Sequence, residues 1–547
     1  MSPIHQVDVT ALPSVLARTT EAAKQRLCWR IRPSPVEWLF LIVGVALVVQ
    51  YRWILGDATI YYRYADNFLF LHRGLVFNPG EFVEGYSSPL WLLLLVVLRA
   101  MHLDYWSITL AFGIGAYALF WYAAVIINRR LQGPGTGPAI NVPLVYLATT
   151  YGVASYFTSG SESPLVQLAA VAVALYALAP ESRSLQIALG LLPLVRNEFV
   201  VPLGIVGIVG WRATRRVPLR LVLSSLAFGG GWLVFRVWYY ADFFPSTFYL
   251  KDKVSIGQGL YYIRNAFEPY FFPAFFGAAA IVTLVLWRRG DEHLSLCPRA
   301  RMGLVALSSV PYVVKVGGDM MHFRFLAFAF CLAALSMGGV LERWLASFDW
   351  AQNQGARVAI GAAMGIACFV NYPRFLSSHP VFRHASRTLD HGISDAPWHR
   401  QHAALTFDAD RIGQDRVRLA AYRAASADTT NVATDVLCVA MFDNFRTRYV
   451  HGYGLTDPVL ARVDVPEARP GHKPGLFPLA RDLVRIRSRY PEPNAGVVDR
   501  AIADGVAPRW MIANAAVIAL VEARMYNRHR FFDNLVQALR PTGRIEP

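Results

Sequence analysis

Two acidic residues stand where apolar runs give way to polar sequence, each with neighbours able to assist it chemically. Asp57 opens the segment GDATIYYRYADNFLFLHRGLVFNPGEFVEGYSSPLW, directly after the apolar stretch Trp38 to Leu55. At such an edge an ionised carboxylate is cheap and close to a lipid headgroup, where it can act as general base, nucleophile or metal ligand. The competing role for Asp57 is a helix cap ahead of the stretch IYYRYADNFL. Asp319 sits in VGGDMMHFR, where Gly317 and Gly318 permit a tight turn and close backbone approach. His322 and Arg324 follow it, and ionisable groups at a membrane edge point to function more often than to a bare ion pair. Arg324 can grip a phosphate through two parallel hydrogen bonds.

Other polar residues gather around these two. SGSESPL puts Glu162 on a short turn, where the bland role is an acid facing a helix dipole. Arg196 and Glu198, in LVRNE, can pair with each other, yet they interrupt an apolar stretch, and broken helices at membrane depth survive only along an enclosed or watered cavity. Lys251, in FFPSTFYLKDK, either holds a lipid phosphate or joins an aromatic and basic belt at the interface. Glu84 and Tyr86 of the opening loop read as substrate contacts, as do Asp457 and His472, which lie in the turn-rich HGYGLTDPVLARV and PGHKPG.

The elements that must position these residues are mostly transmembrane helices. Of 547 residues, 55% are hydrophobic and 16% charged, a bias that membrane burial explains most simply. A helix crosses roughly 30 Å of hydrocarbon with about 20 apolar residues. On that basis eleven spans are predicted, at about 36–55, 106–128, 139–157, 164–179, 185–195, 199–211, 217–239, 270–287, 301–316, 322–341 and 357–371. The first reads as a span and not a cleaved signal, since its apolar run is too long and no small-residue cleavage site follows. The formal charge of +16 is read by position: Arg129, Arg183, Arg212, Arg288 and Arg343 then all fall on the cytoplasmic side with residues 1–35.

That count requires Pro89 to Leu103 to be a juxtamembrane or re-entrant helix within a first extracytoplasmic loop at 56–105. Residues 36–371 form the membrane domain, and 372–547 are expected to fold outside as an α/β unit with a strand near Val432 to Phe442 and a helix near Pro508 to Met525. Nucleic acid is excluded as a partner by the anchoring role of the basic residues, and no disulfide framework arises from five scattered cysteines. There is no Walker loop, dinucleotide fingerprint, HExxH or paired CxxC, so the energy for any reaction must reside in the substrate.

GDATIYYRYADN, GLVFNPGEFVEGYSSPLW, SGSESPL, LVRNE, FFPSTFYLK, VGGDMMHFRFL and GLTDPVLARV with PGH, taken in order, resemble the terminal β-(1→2)-arabinofuranosyltransferases of the mycobacterial cell wall, the AftB type, within the GT-C class of membrane glycosyltransferases. The resemblance implies a polytopic GT-C fold with a soluble C-terminal domain in the plasma membrane, its active site facing the periplasm or outside. It implies transfer of D-arabinofuranose from a polyprenyl-phosphate donor to the end of an arabinan or related glycan acceptor. Asp57 then takes the opening-loop acid's place as base or nucleophile, and Asp319 is the second acid. His322, Arg324, Lys251 and Arg196 are the donor-phosphate partners. The family pattern has two adjacent acids at the opening position. Here Gly56 occupies the first, which leaves Asp57 alone to ligate a divalent cation such as Mg, Mn or Ca.

Besides a structural lipid-binding or assembly protein, in which Asp57→Asn and Asp319→Asn would leave function intact, two rivals remain on this reading. One is a GT-C transferase of another lipid-linked sugar to protein, pilin or lipopolysaccharide. The other is a lipid-linked sugar transporter or flippase, which would place acids at the membrane midplane within repeated halves. No duplicated half is present in the sequence.

Overall fold

The chain is an α-helical bundle carrying a smaller C-terminal unit, seen in a computed structural model that describes residues 32–133, 140–290, 296–378, 431–434, 447–466, 473, 475–491, 495–526 and 531–547. The bundle helices are α1 (Pro35–Gln50), α2 (Ala58–Leu69), α3 (Pro89–Ala100), α4 (Tyr105–Gln132), α5 (Val142–Thr149), α6 (Tyr151–Ala154), α7 (Ser163–Leu178), α8 (Arg183–Leu189), α9 (Leu192–Val195), α10 (Val200–Thr214) and α11 (Leu219–Tyr240). They continue with α12 (Ser246–Lys251), α13 (Ile256–Phe267), α14 (Phe272–Arg288), α15 (Leu296–Lys315), α16 (Ala327–Leu345) and α17 (Gln354–Ser378).

Local chemistry starts these helices where it should. Ser34 and Glu37 form a reciprocal capping box ahead of α1 with Pro35 in its first turn, and the Asp104 carboxylate caps α4 through the Ser107 amide. At one end of the bundle two buried acids tie four helices together. Glu37 receives Arg129 at 2.6 Å and Asn141 at 2.7 Å, while Glu342 receives the amides of Ile140, Asn141 and Val142 at 2.9, 2.8 and 2.8 Å.

Three of the described helical stretches are long and apolar enough to cross a membrane, Tyr105–Gln132, Leu219–Tyr240 and Arg324–Leu345, or four if α13 and α14, bent by 74°, count as one. The apolar runs behind the expected eleven are real, but caps and breaks divide several of them into helices of 10–17 residues. The run at 139–157 breaks at Thr150, and α3, with 12 residues, reaches only about 18 Å at 1.5 Å per residue.

The C-terminal unit pairs two short parallel strands, β1 (Asn431–Thr434) and β2 (Arg448–His451), with Val432 opposite Tyr449. Helices α18 (Pro458–Ala461), α19 (Leu476–Arg489), α20 (Val497–Ala503), α21 (Arg509–Ala513), α22 (Ala515–Tyr526) and α23 (Phe531–Leu539) follow. The helix expected over Pro508 to Met525 is two helices, because the chain turns at Asn514, whose side-chain amide bonds back to the Trp510 carbonyl. Of the strand expected over Val432 to Phe442, residues beyond 434 lie outside the described set, as does most of the N-terminal segment 1–35.

The opening loop stitches this unit to the bundle. Arg63, fully buried, donates to the carbonyls of Phe77 and Thr447 at 2.7 and 2.8 Å, and lies 5.0 Å over the Tyr449 ring. Asn78 both donates to the Tyr449 carbonyl and accepts from its amide, at 3.0 and 2.9 Å.

Candidate active site

Where the α9–α10 break, the start of α2, the loop before α3 and helix α12 converge, they enclose an open cavity of about 210 Å³. The break exists because Arg196 adopts an extended backbone (φ −154°, ψ 137°) between α9 and a short 3₁₀ turn, Asn197–Phe199. Arg196, Asn197 and Glu198 all line the cavity, together with Asp57, Tyr61, Tyr86, Glu162, Lys251, Arg324 and Phe325.

Asp57 occupies the cap position of α2, yet its side chain makes no bond to the helix amides. It faces Arg324 instead, Oδ2 to Nη1 at 3.3 Å. The same guanidinium meets Asp319 through Nε at 3.0 Å, and the Lys251 ammonium stands 3.6 Å from the other Asp319 oxygen. One arginine therefore bridges the two acids. Their environments differ: the Asp57 side chain is 21% exposed and lines the cavity, whereas Asp319 is 1% exposed and lies behind Arg324 and Lys251. Burial pushes the Asp319 carboxyl up, but Arg324, Lys251 and Arg196 outweigh it and hold the group below its ordinary range, as a fixed anion.

The turn bearing Asp319 is set by backbone conformation. Gly317 and Gly318 have φ of +79° and +82°, and a Cβ on Gly318 would approach the Tyr262 ring to 2.3 Å, so only glycine fits there. Tyr262 donates to the Met321 carbonyl at 2.7 Å and receives the Phe325 amide at 3.1 Å, and Tyr156 donates to the His322 carbonyl at 2.7 Å.

A second acid pair faces the cavity from the helix break. Arg196 joins Glu198 at 2.5 Å and Glu162 at 3.0 Å. Glu162 precedes α7 without capping it. The Tyr61 hydroxyl stands 3.5 Å from Glu162, and burial followed by the Glu162 charge raises the phenol far above its ordinary value, keeping it a donor.

The remaining expected residues lie elsewhere. His322 is buried, with Nε2 2.7 Å from the Tyr270 hydroxyl and Nδ1 2.7 Å from Asn265 Oδ1, so its ring is engaged in packing away from the cavity. Glu84 pairs with Arg236 and accepts from Trp232 at 3.2 Å, beneath the opening loop. Tyr86 lines the cavity but its hydroxyl meets Tyr240 at 2.9 Å. Asp457 caps α18 through the Val459 and Leu460 amides, both at 3.0 Å, and pairs with Arg487, buried in the C-terminal unit. His472 lies outside the described residues.

Sequence reading passed over Tyr61, Phe325 and Arg236. Phe325 offers its ring to three cations, Arg196 at 4.1 Å, Lys251 at 4.9 Å and Arg324 at 5.6 Å, and so fixes their spacing without consuming their charge. Its one signal was adjacency to Arg324. Arg236 holds Glu84 and donates to Asn197 Oδ1 at 2.9 Å, which anchors the helix break from behind.

Among the described residues no three His, Cys, Asp or Glu side chains converge, and Asp57, Glu162 and Glu198 each already face a guanidinium. The arrangement suits an anionic ligand that would share these guanidinium and ammonium donors.

Two curated relatives match the chain. A terminal β-(1→2)-arabinofuranosyltransferase of Mycobacterium tuberculosis is 31% identical over 366 residues, which cover 58% of this chain and 57% of the relative. A protein of the same name from Corynebacterium glutamicum is 28% identical over 337 residues, covering 50% of this chain and 46% of the relative. The chain thus spans about half the length of the curated relatives it matches, and the resemblance seen in its motifs is found again in both. No protein-family model and no solved structure matches the chain.

Proposed function

We propose that the chain is a membrane glycosyltransferase of the plasma membrane that moves D-arabinofuranose from a polyprenyl-phosphate donor to the terminus of a cell-envelope arabinan or related glycan, its cavity facing outward. The similarity to two arabinofuranosyltransferases supports the sugar and the reaction class. The observation that carries the chemistry is the bridge of Arg324 between cavity-facing Asp57 and buried Asp319.

In this reading the bond between the sugar's anomeric carbon and the donor phosphate oxygen breaks, and the negative charge that grows on the phosphate is met by Arg324 and Lys251. Such preorganised cations supply the main electrostatic stabilisation in a site screened from water. Asp319 holds both cations in place, and Phe325 spaces them. Asp57 takes the proton from the attacking acceptor hydroxyl in a single displacement, which inverts the anomeric carbon. Retention, the outcome that the family resemblance implies, requires Asp57 to attack that carbon as the phosphate leaves and the acceptor hydroxyl then to displace the Asp57 carboxylate, giving its proton to the released phosphate.

The test is transfer by the purified full chain from synthetic polyprenyl-phosphate arabinofuranose to a short arabinan, followed by mass spectrometry and anomeric NMR. Asp57→Asn is expected to lower turnover by about 10²- to 10⁴-fold. Turnover unaltered by that substitution removes Asp57 from the mechanism, and transfer only from a different lipid-linked sugar reassigns the substrate.

A further inference from the structure

Helix α23, the last helix among the described residues, carries a surface the transferase reading does not use. Its residues divide into three faces. Asn534 and Ala538 are buried, and Asn534 donates its side-chain amide to the Trp238 carbonyl of α11 at 2.5 Å. Asp533 and Gln537 form a polar edge. The third face is apolar and open: Phe532, Val536 and Leu539 recur at i, i+4 and i+7 and are 77%, 52% and 63% exposed. An aromatic and two aliphatic side chains in one exposed row would be a cost in water, whereas the same pattern is the mark of a helix lying in a bilayer interface.

The place of α23 says what covers that row. The helix packs on α11, one of the stretches long and apolar enough to cross a membrane. Leu233, Val234 and Trp238 of α11 are themselves 40%, 56% and 41% exposed, the surface such a span turns to lipid. Trp238 lies two residues before the end of α11 at Tyr240, the level at which indole rings collect in membrane proteins. The apolar row of α23 therefore sits on a helix packed directly against a span whose own outer residues are open, on the face turned away from that contact. Basic residues flank it in the sequence, with Arg528 and Arg530 before it and Arg540 and Arg544 after it; Arg540 is exposed, whereas Arg544 pairs with Asp252 and Asp464. Arginine beside a shallow apolar face fits anionic headgroups.

We propose that α23 is an interfacial membrane anchor, which sinks Phe532, Val536 and Leu539 among the acyl chains of the leaflet at the Tyr240 end of α11. The anchor fixes the height of the C-terminal unit above the bilayer. It also holds that unit close to the cavity, whose lining includes Leu455 of the same unit.

The experiment places an environment-sensitive fluorescent amino acid at position 536, and in separate samples at 533 and 537, of the full chain in nanodiscs containing anionic lipid. Quenching is read from lipids carrying a nitroxide near the top of the acyl chain and from a water-soluble nickel chelate. Position 536 should be quenched several-fold more by the lipid nitroxide than position 533, at a depth of about 5–10 Å. The chelate should show the reverse order. Equal lipid quenching at 533 and 536, or chelate quenching that dominates at 536, overturns the proposal. So does protection at 536 from both quenchers that disappears on dilution, which would assign the row to a second copy of the chain. A Phe532→Ser variant provides a second reading: chelate access at 536 should rise while the α11 contact at Asn534 leaves the thermal unfolding temperature of the bundle in place. No change in access at 536 also counts against the anchor.

Discussion

The chain builds two clusters from the same acidic and guanidinium groups, and they behave differently. At the cavity, Asp57, Glu162, Glu198, Arg196 and Arg324 surround an open space, and Asp57 and Glu198 keep 21% and 17% of their side chains exposed. In the C-terminal unit, Asp457, Arg487 and Glu522 are sealed, none more than 2% exposed. Asp457 spends its carboxylate on a helix cap and on Arg487 at 2.5 Å, and burial pushes the Glu522 carboxyl up to about 7 against the pull of Arg487. The sealed cluster relieves surplus negative charge by keeping a proton. The open one sets its carboxylates against several cations, and it leaves room for a ligand to share them. Residue type therefore does not distinguish a sealed cluster from an open one; access and surplus donors do.

Substitutions at equivalent members should separate the two clusters, and the widest gap is expected between the aspartates. While Asp57→Asn is expected to lower the proposed transfer by about 10²- to 10⁴-fold and to leave thermal unfolding nearly unchanged, Asp457→Asn should destabilise by about 3–5 kcal/mol, because Arg487 loses the carboxylate it is buried against. Calorimetry or thermal scanning in detergent measures it, and an unfolding temperature equal to the parent's would show that the sealed cluster contributes little.

Next in size is the pH response of the sealed cluster. Glu522 has an ordinary value of 4.5 and a folded value of about 7, so the folded state binds the proton more tightly than the unfolded chain. The stabilisation is complete below 4.5 and is lost as pH rises through 7, a total of about 3 kcal/mol at 1.36 kcal/mol per unit. Glu522→Gln should flatten that decline between pH 5 and 8 in unfolding experiments. A variant that declines as steeply as the parent places the titration elsewhere.

The smallest effect sharpens the description of the open cluster. Phe325→Leu removes a ring shared by three cations, each contact contributing about 0.5–1 kcal/mol. The substitution should raise KM for the phosphate-bearing donor a few-fold while kcat falls less. A change in kcat alone would assign the ring to the reacting sugar and not to the phosphate.

Several features were readable before any fold was known. The apolar runs, the Gly317-Gly318 turn and the helix break at Arg196 all follow from local rules, since a run needs only composition and a positive φ needs only glycine. Asp57 and Arg324 were both identifiable from the sequence, but their contact was not, as 267 residues separate them. His322 looked like a phosphate partner because it neighbours Arg324. Two residues of offset in a tight turn are enough to send it instead toward Asn265 and Tyr270.

The sequence by itself determined that this chain is rich in apolar helices, which acids border them and which proteins it resembles, because hydropathy, capping and motif order are encoded locally. Tertiary structure alone decided which acids reach open space, which arginines serve two of them, and which aspartate is a cap. Those outcomes depend on the direction in which each side chain leaves its element and on what packs behind it. No spacing along the chain specifies either.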